Sequence, residues 1–256
     1  MFEDNISEAI ILVGGKGTRL KSILKDRPKP MAIVAGKPFV EWIVLLLQRQ
    51  GIQRIVMCTG HLSEVVEAYF ADKHNFGVEI AFSKDPFPLG TGGAIRHSLK
   101  KTVSEHLLVL NGDSYRDFDC SKLFTMHREK NAKASLCLTR VEDCRRFGSV
   151  RIDENNMIVE FVEKNQKSAR GLVNSGIYLF ERKIIERFPK DKKCSLENEL
   201  FPKLIGKGLY GFVFSGDFID IGTPESFVNS EDFLKKELSA QYKRINDNSP
   251  LKGKQT

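Results

Sequence analysis

No part of this 256-residue sequence approaches an unbroken apolar run of the ~20 residues that a membrane-spanning helix needs. A membrane partner is therefore not expected. The opening, Met1-Phe2-Glu3-Asp4-Asn5, lacks the basic start of a secretory leader, so a cytoplasmic setting is the expectation. Cysteine is scarce and unpatterned: five residues, at 58, 120, 137, 144 and 194, with no Cys-x-x-Cys. An odd, scattered set suggests neither a disulfide framework nor a zinc site, and buried free thiols are the plainer reading. Glycine and proline are too few for a fibrous or disordered chain. Two familiar phosphate-binding signatures are also missing. Gly14-Gly15-Lys16-Gly17-Thr18-Arg19 fits neither the P-loop spacing nor Gly-x-Gly-x-x-Gly,. There is no internal repeat, and no linker long enough to separate independent units.

Hydrophobic residues make up 41% and charged residues 29%, which suits a globular chain with a sizeable core. The net charge is +7. That balance fits a nucleic-acid binder and an enzyme for polyphosphate and sugar-phosphate substrates equally well. Much of the excess sits in short stretches such as Arg145-Arg146 and the tail from Lys235.

Glu8 to Val13 is a nearly continuous apolar run, the signature of a strand covered on both faces. Phe39 to Gln50 follows as a helix closed by Gly51. Arg54 to Thr59 reads as a strand, Leu62 to Phe70 as a helix, Val78 to Ser83 as a strand, Thr91 to Leu99 as a helix and Glu105 to Leu110 as a strand. This alternation predicts a parallel sheet with crossover helices, and ligands bind at the carboxyl ends of such strands. Three polar, glycine-bearing loops fall there: after Val13, after Ser83 and after Leu110. The second half is richer in strands, at Lys133 to Val141, Gly148 to Ile152, Met157 to Glu163 and Asn174 to Phe180. A helix is expected at Leu196 to Leu204 and a final strand pair between Gly211 and Asp220. Residues 1–240 are expected to form a single domain with halves 8–113 and 114–235. Residues 241–256, polar throughout, are expected to form a frayed tail.

The glycines after Val13 leave backbone N–H groups free to approach an anion, though a plain tight turn needs the same residues. Lys29 stands between Pro28 and Pro30, whose rings stiffen the backbone around one cation. Taken alone, this is equally a surface turn. Asp113 and Asp220 lie far apart in sequence. Brought to one strand edge they make a magnesium site, because Mg²⁺ takes oxygen ligands and keeps substrate phosphates in its shell. Singly, each serves as well as a capping or turn residue.

The ordered set is more specific than its parts. It runs Gly14-Gly15-x-Gly17-Thr18-Arg19-Leu20, Pro28-Lys29-Pro30, Gly36-Lys37-Pro38, Leu89-Gly90-Thr91-Gly92-Gly93, Asn111-Gly112-Asp113, Glu163-Lys164, Asn174-Ser175-Gly176-Ile177-Tyr178 and Asp220-Ile221-Gly222-Thr223-Pro224. In this order it resembles the sugar-1-phosphate nucleotidyltransferase family, over roughly residues 8 to 235. The resemblance implies an α/β, Rossmann-like fold: a mixed, mostly parallel central sheet with flanking helices, of the nucleotide-diphospho-sugar transferase (GT-A-like) type. It assigns nucleotide binding to 8–113 and sugar-phosphate binding to 114–235.

By the same resemblance, Gly14, Gly15, Gly17 and Thr18 cradle the triphosphate and Arg19 grips the departing pyrophosphate. Lys29 contacts the α-phosphate and the attacking phosphate, and Asp113 and Asp220 hold Mg²⁺. Lys164 binds the sugar phosphate, Glu163 contacts a sugar hydroxyl, and Gly148 and Asn174 line the sugar pocket. Leu12, Asp85, Gly90, Thr91, Gly92 and Gly112 belong to the nucleotide side. The implied reaction is in-line attack of a sugar 1-phosphate on the α-phosphorus, with no protein nucleophile, so no catalytic part falls to the histidines or cysteines.

Two positions depart from many relatives: Ser22 to Arg27 replaces a Leu-Thr pair, and Phe218 stands where Trp is common. No hexapeptide-repeat tail follows residue 235, so a bifunctional acetyltransferase is not expected. Within the family, Pro88-Leu89-Gly90-Thr91-Gly92-Gly93-Ala94-Ile95 and Asp217-Phe218-Ile219-Asp220-Ile221-Gly222 resemble guanylyltransferases acting on heptose or mannose 1-phosphates, which implies GTP. Asp85 is the carboxylate that would accept the N1 and N2 hydrogens of guanine, or else a turn residue before Pro86. Three other classes compete. A GT-A glycosyltransferase needs an Asp-x-Asp motif, and Asp113-Ser114-Tyr115 lacks the second acid. A non-catalytic regulatory subunit should have lost a phosphate or metal residue, and none of Arg19, Lys29, Asp113, Lys164 or Asp220 is missing. A nucleic-acid binder is not favoured. Assembly into identical copies stays open.

Overall fold

A computed structural model describes residues 5–15, 24, 26–72, 76–162 and 170–247. Strand β1 (Glu8–Leu12) lies at the centre of a sheet with β4 (Arg54–Thr59) on one side and β6 (His106–Asn111) on the other, both parallel to it. Beyond β4 comes β5 (Glu79–Lys84), also parallel. The connections carry α1 (Phe39–Arg49), α2 (Ser63–Asp72) and α3 (Gly90–Ser98). Between β1 and α1 a small hairpin forms from β2 (Ile33–Val34) and β3 (Lys37–Pro38).

The apolar run of β1 is explained by burial on both faces. Ala9 and Ile11 join one core cluster with Phe39, Ile43 and Leu47 of α1. Ile10 points the other way, into a cluster with Ala94 and Ile95 of α3. Burying each such aliphatic side chain contributes about 1.5–3 kcal/mol.

After β6 come β7 (Ser114–Arg116), α4 (Cys120–Glu129), β8 (Ala134–Val141), β9 (Ser149–Ile152), β10 (Ile158–Val162) and β11 (Gly171–Glu181). Strand β11 is antiparallel to β6, β8 and β9, so one sheet runs through both halves of the chain without a break. Then follow α5 (Arg182–Glu186), a π-helical turn at Leu196–Leu200 leading into α6 (Phe201–Leu204), β12 (Leu209–Val213), β13 (Phe218–Asp220) and α7 (Pro224–Asp247). The sheet has nine strands among the described residues, in the order β10-β9-β11-β6-β1-β4-β5, with β8 beside β11 and β12 beside β8.

Three differences from the sequence reading stand out. The expected final strand pair is two strands in separate sheets: β12 pairs with β8, whereas β13 pairs with the short β7. Helix α4 was not expected, although Asp119 caps it by accepting from the Lys122 N–H at 2.8 Å and Cys120, Leu123, Phe124 and His127 are buried at helical spacing. Helix α7 continues through 241–247, where a frayed tail was expected.

Candidate active site

The β7–β13 pairing places Asp220 opposite Ser114 in antiparallel register. It thereby sets Asp113, just before β7, beside Ile221, just after β13, and the Ile221 N–H donates to the Asp113 carbonyl at 3.0 Å. Two loops more than a hundred residues apart in sequence thus deliver two carboxylates to one place. Lys29 reaches them from a 3-10 turn over Lys29–Met31 that follows Pro28, with Pro30 and Met31 buried beneath it. Its Nζ lies 2.7 Å from Asp113 Oδ2 and 3.6 Å from Asp220 Oδ2. Asp220 Oδ1 accepts from the Gly222 N–H at 3.0 Å and from Arg146 Nη2 at 3.3 Å. A Cβ at 222 would stand 2.6 Å from Asp220 Oδ1, so any side chain there would displace the Asp220 carboxylate. Burial pushes the Asp220 carboxyl up from its ordinary pKa and the charge of Asp113 adds to this, while Lys29, the Gly222 N–H and Arg146 pull it back.

This cluster sits at one end of a cleft of about 740 Å³ lined by the three loops that leave β1, β5 and β6. Leu12, the last residue of β1, and Gly14 and Gly15 come from the first, Asp85, Gly90 and Thr91 from the second, and Asp113, with Asn111 at the end of β6, from the third. Gly14 faces Gly60: a Cβ on Gly60 would meet the Gly14 carbonyl at 3.2 Å, so the loop after β1 packs backbone to backbone on the loop after β4. Asp85 is half-buried. Its carboxylate accepts from the Leu89 backbone, and burial holds its pKa up at about 6. Oδ1 of the same group is buried with no partner among the described residues. A buried acceptor left unpaired is costly, and the residue that bears it is part of the cleft lining. Cys58 also lines the cleft, but burial pushes its thiol up to about 12. It stays protonated and serves as an apolar wall, not a nucleophile.

Some expected residues have other work. The N–H groups of Gly92 and Gly93 both donate to the Cys194 carbonyl, at 3.0 and 3.2 Å, and the Cys194 N–H donates to Leu89. Gly92 is not among the residues lining the cleft; a Cβ there would stand 3.1 Å from the Phe188 ring. Gly112 is likewise a packing residue. Its N–H donates to the Leu12 carbonyl at 2.9 Å, and a Cβ would lie 2.7 Å from that oxygen. Gly148 and Asn174 stand outside the cleft and meet each other, Asn174 N–H to the Gly148 carbonyl at 3.0 Å. They flank it through Gly176, whose Cβ would touch Asn111 Nδ2 at 2.7 Å. Gly17, Thr18, Arg19, Glu163 and Lys164 lie outside the described residues.

The sequence reading missed Asn111, Pro88 and Lys193 as lining residues and Arg146 as a partner of Asp220. Asn111 carried a signal, being the last residue of a strand at its carboxyl end. Lys193 carried none, because only the Cys194 clasp brings its segment to the cleft.

The nucleotidyl transferase family matches this chain over residues 8–237. A D-glycero-α-D-manno-heptose 1-phosphate guanylyltransferase of Campylobacter jejuni is 42% identical over 225 residues, covering 87% of this chain and 97% of that protein. A mannose-1-phosphate guanylyltransferase of Mycobacterium tuberculosis is 38% identical over 86% of this chain, which spans only 62% of that relative's length. The crystal structure of HddC from Yersinia pseudotuberculosis, also solved in complex with GMP-PN, superposes with a TM-score of 0.80 at 34% identity, covering 90% of this chain and all of that one. The chain therefore belongs to the nucleotidyl transferase family, within its sugar-1-phosphate nucleotidyltransferases.

Proposed function

We propose that this protein transfers GMP from GTP to D-glycero-α-D-manno-heptose 1-phosphate, with Mg²⁺ bound by Asp113 and Asp220, giving GDP-heptose and pyrophosphate. The observation that carries the chemistry is Lys29 placed between two carboxylates at the end of the cleft. The donor set suits magnesium: two carboxylates brought to one place, which leaves coordination positions for phosphate oxygens and water. Bound there, the ion supplies charge neutralisation at the transferring phosphates.

The chain's own residues do the rest. The loop at Gly14 and Gly15 offers backbone to an anion at the carboxyl end of β1. Lys29 offsets negative charge where the acceptor phosphate meets the α-phosphorus. Displacement is direct, phosphate oxygen in and pyrophosphate out, so the rate rests on alignment and electrostatics. The choice of guanine rests on Asp85, a carboxylate in the cleft lining and the acceptor type that the paired N1 and N2 donors of that base need,. The heptose reading is supported by the Campylobacter relative, matched over nearly its whole length. The Mycobacterium relative supports mannose 1-phosphate as the second reading.

The test is pyrophosphate release with GTP, CTP, UTP and dTTP against heptose and mannose 1-phosphates. GTP with the heptose is expected to give the highest kcat/KM, and chelation of divalent ions to stop turnover. Preference for another nucleotide refutes the guanylyl reading, and preference for mannose 1-phosphate selects the second.

A further inference from the structure

Arg146 is a cation at the active site for which neither the family motifs nor the proposed chemistry has a use. It lies in the loop between β8 and β9, which is tied down on both sides of it. Cys144 is buried, and the Phe147 N–H donates to the Cys144 carbonyl at 3.0 Å. The Phe147 ring packs edge-on against Phe218 with centroids 5.5 Å apart, two residues before Asp220. Gly148 is fastened to Asn174 of β11. From this base Arg146 crosses to the other strand system. Its Nη2 is 3.3 Å from Asp220 Oδ1 and 3.3 Å from Ser226 Oγ, and its guanidinium rests 5.4 Å from the Phe147 ring centre. The neighbouring Arg145 turns away to Asp143.

We propose that Arg146 binds the phosphate of the sugar 1-phosphate, and that its contact with Asp220 is where the side chain waits when that phosphate is absent. The assignment rests on the family membership and on the carboxylate pair as cation ligands, not on which base or sugar is used. The charges argue for it. Asp113 and Asp220 carry two negative charges, matched here by Lys29 and Arg146. With a divalent cation on the carboxylates both side-chain cations become surplus, and the substrates bring phosphates to the same place. Lys29 enters from the side of β1, the nucleotide side. Arg146 enters from the loop that ends at Gly148, beside the β11 segment with Asn174 and Gly176. A guanidinium suits this exchange, since it grips carboxylate and phosphate through the same forked geometry. The side chain is also 38% exposed, so it can swing between the two without unpacking a core.

The test is kinetics and cation binding with Arg146→Met and Arg146→Lys, using the most active nucleotide and sugar pair of the wild-type panel. Failure of the guanylyl or heptose reading then shows in the wild type, and failure of this one in the variants. For Arg146→Met, KM for the sugar 1-phosphate is expected to rise about tenfold or more while KM for the nucleotide stays within about twofold. Arg146→Lys should recover part of the loss. Binding of Mn²⁺ alone, followed by calorimetry or electron paramagnetic resonance, should be as tight in Arg146→Met as in wild type, or tighter, because Asp220 is no longer engaged. Equal rises in both KM values, a rise for the nucleotide alone, or weaker Mn²⁺ binding overturns the proposal and leaves Arg146 as a support for Asp220.

Discussion

Burial of the Asp85 carboxylate carries a stability cost that a role in base recognition would explain. Its folded pKa of about 6 lies above the ordinary 3.8, and the cause is burial opposed by one backbone hydrogen bond. The folded state therefore holds the proton longer than the unfolded state, so this group's stability is fullest below the unfolded pKa and is lost as pH rises through about 6. Asp85→Asn removes the buried charge. It is expected to stabilise the unliganded protein by about 1 kcal/mol near pH 7.5, a figure discounted for the solvent that still reaches the group. The gain should vanish towards about pH 4. In the same variant KM for GTP should rise, and in wild type KM for GTP should climb as the pH falls through about 6. Denaturant titrations at several pH values and a pH series of KM values check both. A KM for GTP indifferent to Asp85 and to pH removes this residue from base recognition.

At the scale of elements, two pairings build the site from outside the main sheet. The first is β7 with β13, only three residues each, which meets the core through Tyr115, Ile219 and Ile221. The second is the clasp in which Cys194 accepts from Gly92 and Gly93 and donates to Leu89. It holds the start of α3, and with it the cleft-lining loop from Asp85 to Thr91, against the segment that carries Lys193. Gly90 is the joint of this clasp: φ is +72° and a Cβ would lie 2.6 Å from the Cys194 carbonyl. Gly90→Ala is expected to cost about 1–3 kcal/mol, from a left-handed backbone and the clash together. It should also raise KM for the nucleotide more than KM for the sugar 1-phosphate. Denaturant unfolding and the two KM values measure it. Unchanged stability would show that the clasp gives way without strain.

For the whole molecule, the net charge of +7 invites a nucleic-acid reading. Yet part of that charge, Lys29 and Lys193, lines the cleft, where the proposed function would set it against substrate phosphates. Filter binding with DNA and RNA near physiological salt is expected to show no saturable binding. Tight, salt-steep retention would reopen that class. No helix among the described residues is long and apolar enough to cross a membrane.

The sequence by itself determined the alternating strands and helices of the first half, because strands buried on both faces must be written as unbroken apolar runs, as Ile10 and Ile11 are. It also determined which residue types could meet phosphate and metal, since chemistry restricts those to glycine backbone, lysine, arginine and aspartate. It did not reveal β7, which is too short for periodicity to register. It could not place β13 in a separate sheet, because pairing partners are set by register across a hundred residues. Nor could it tell a glycine kept for a ligand from one kept for packing. Gly92 and Gly112 sit in motif positions, and only the neighbouring Cys194 and Leu12 carbonyls reveal their role. Tertiary structure alone decided that Asp113, Asp220, Lys29 and Arg146 converge, for convergence is a property of distances, and a linear sequence holds none.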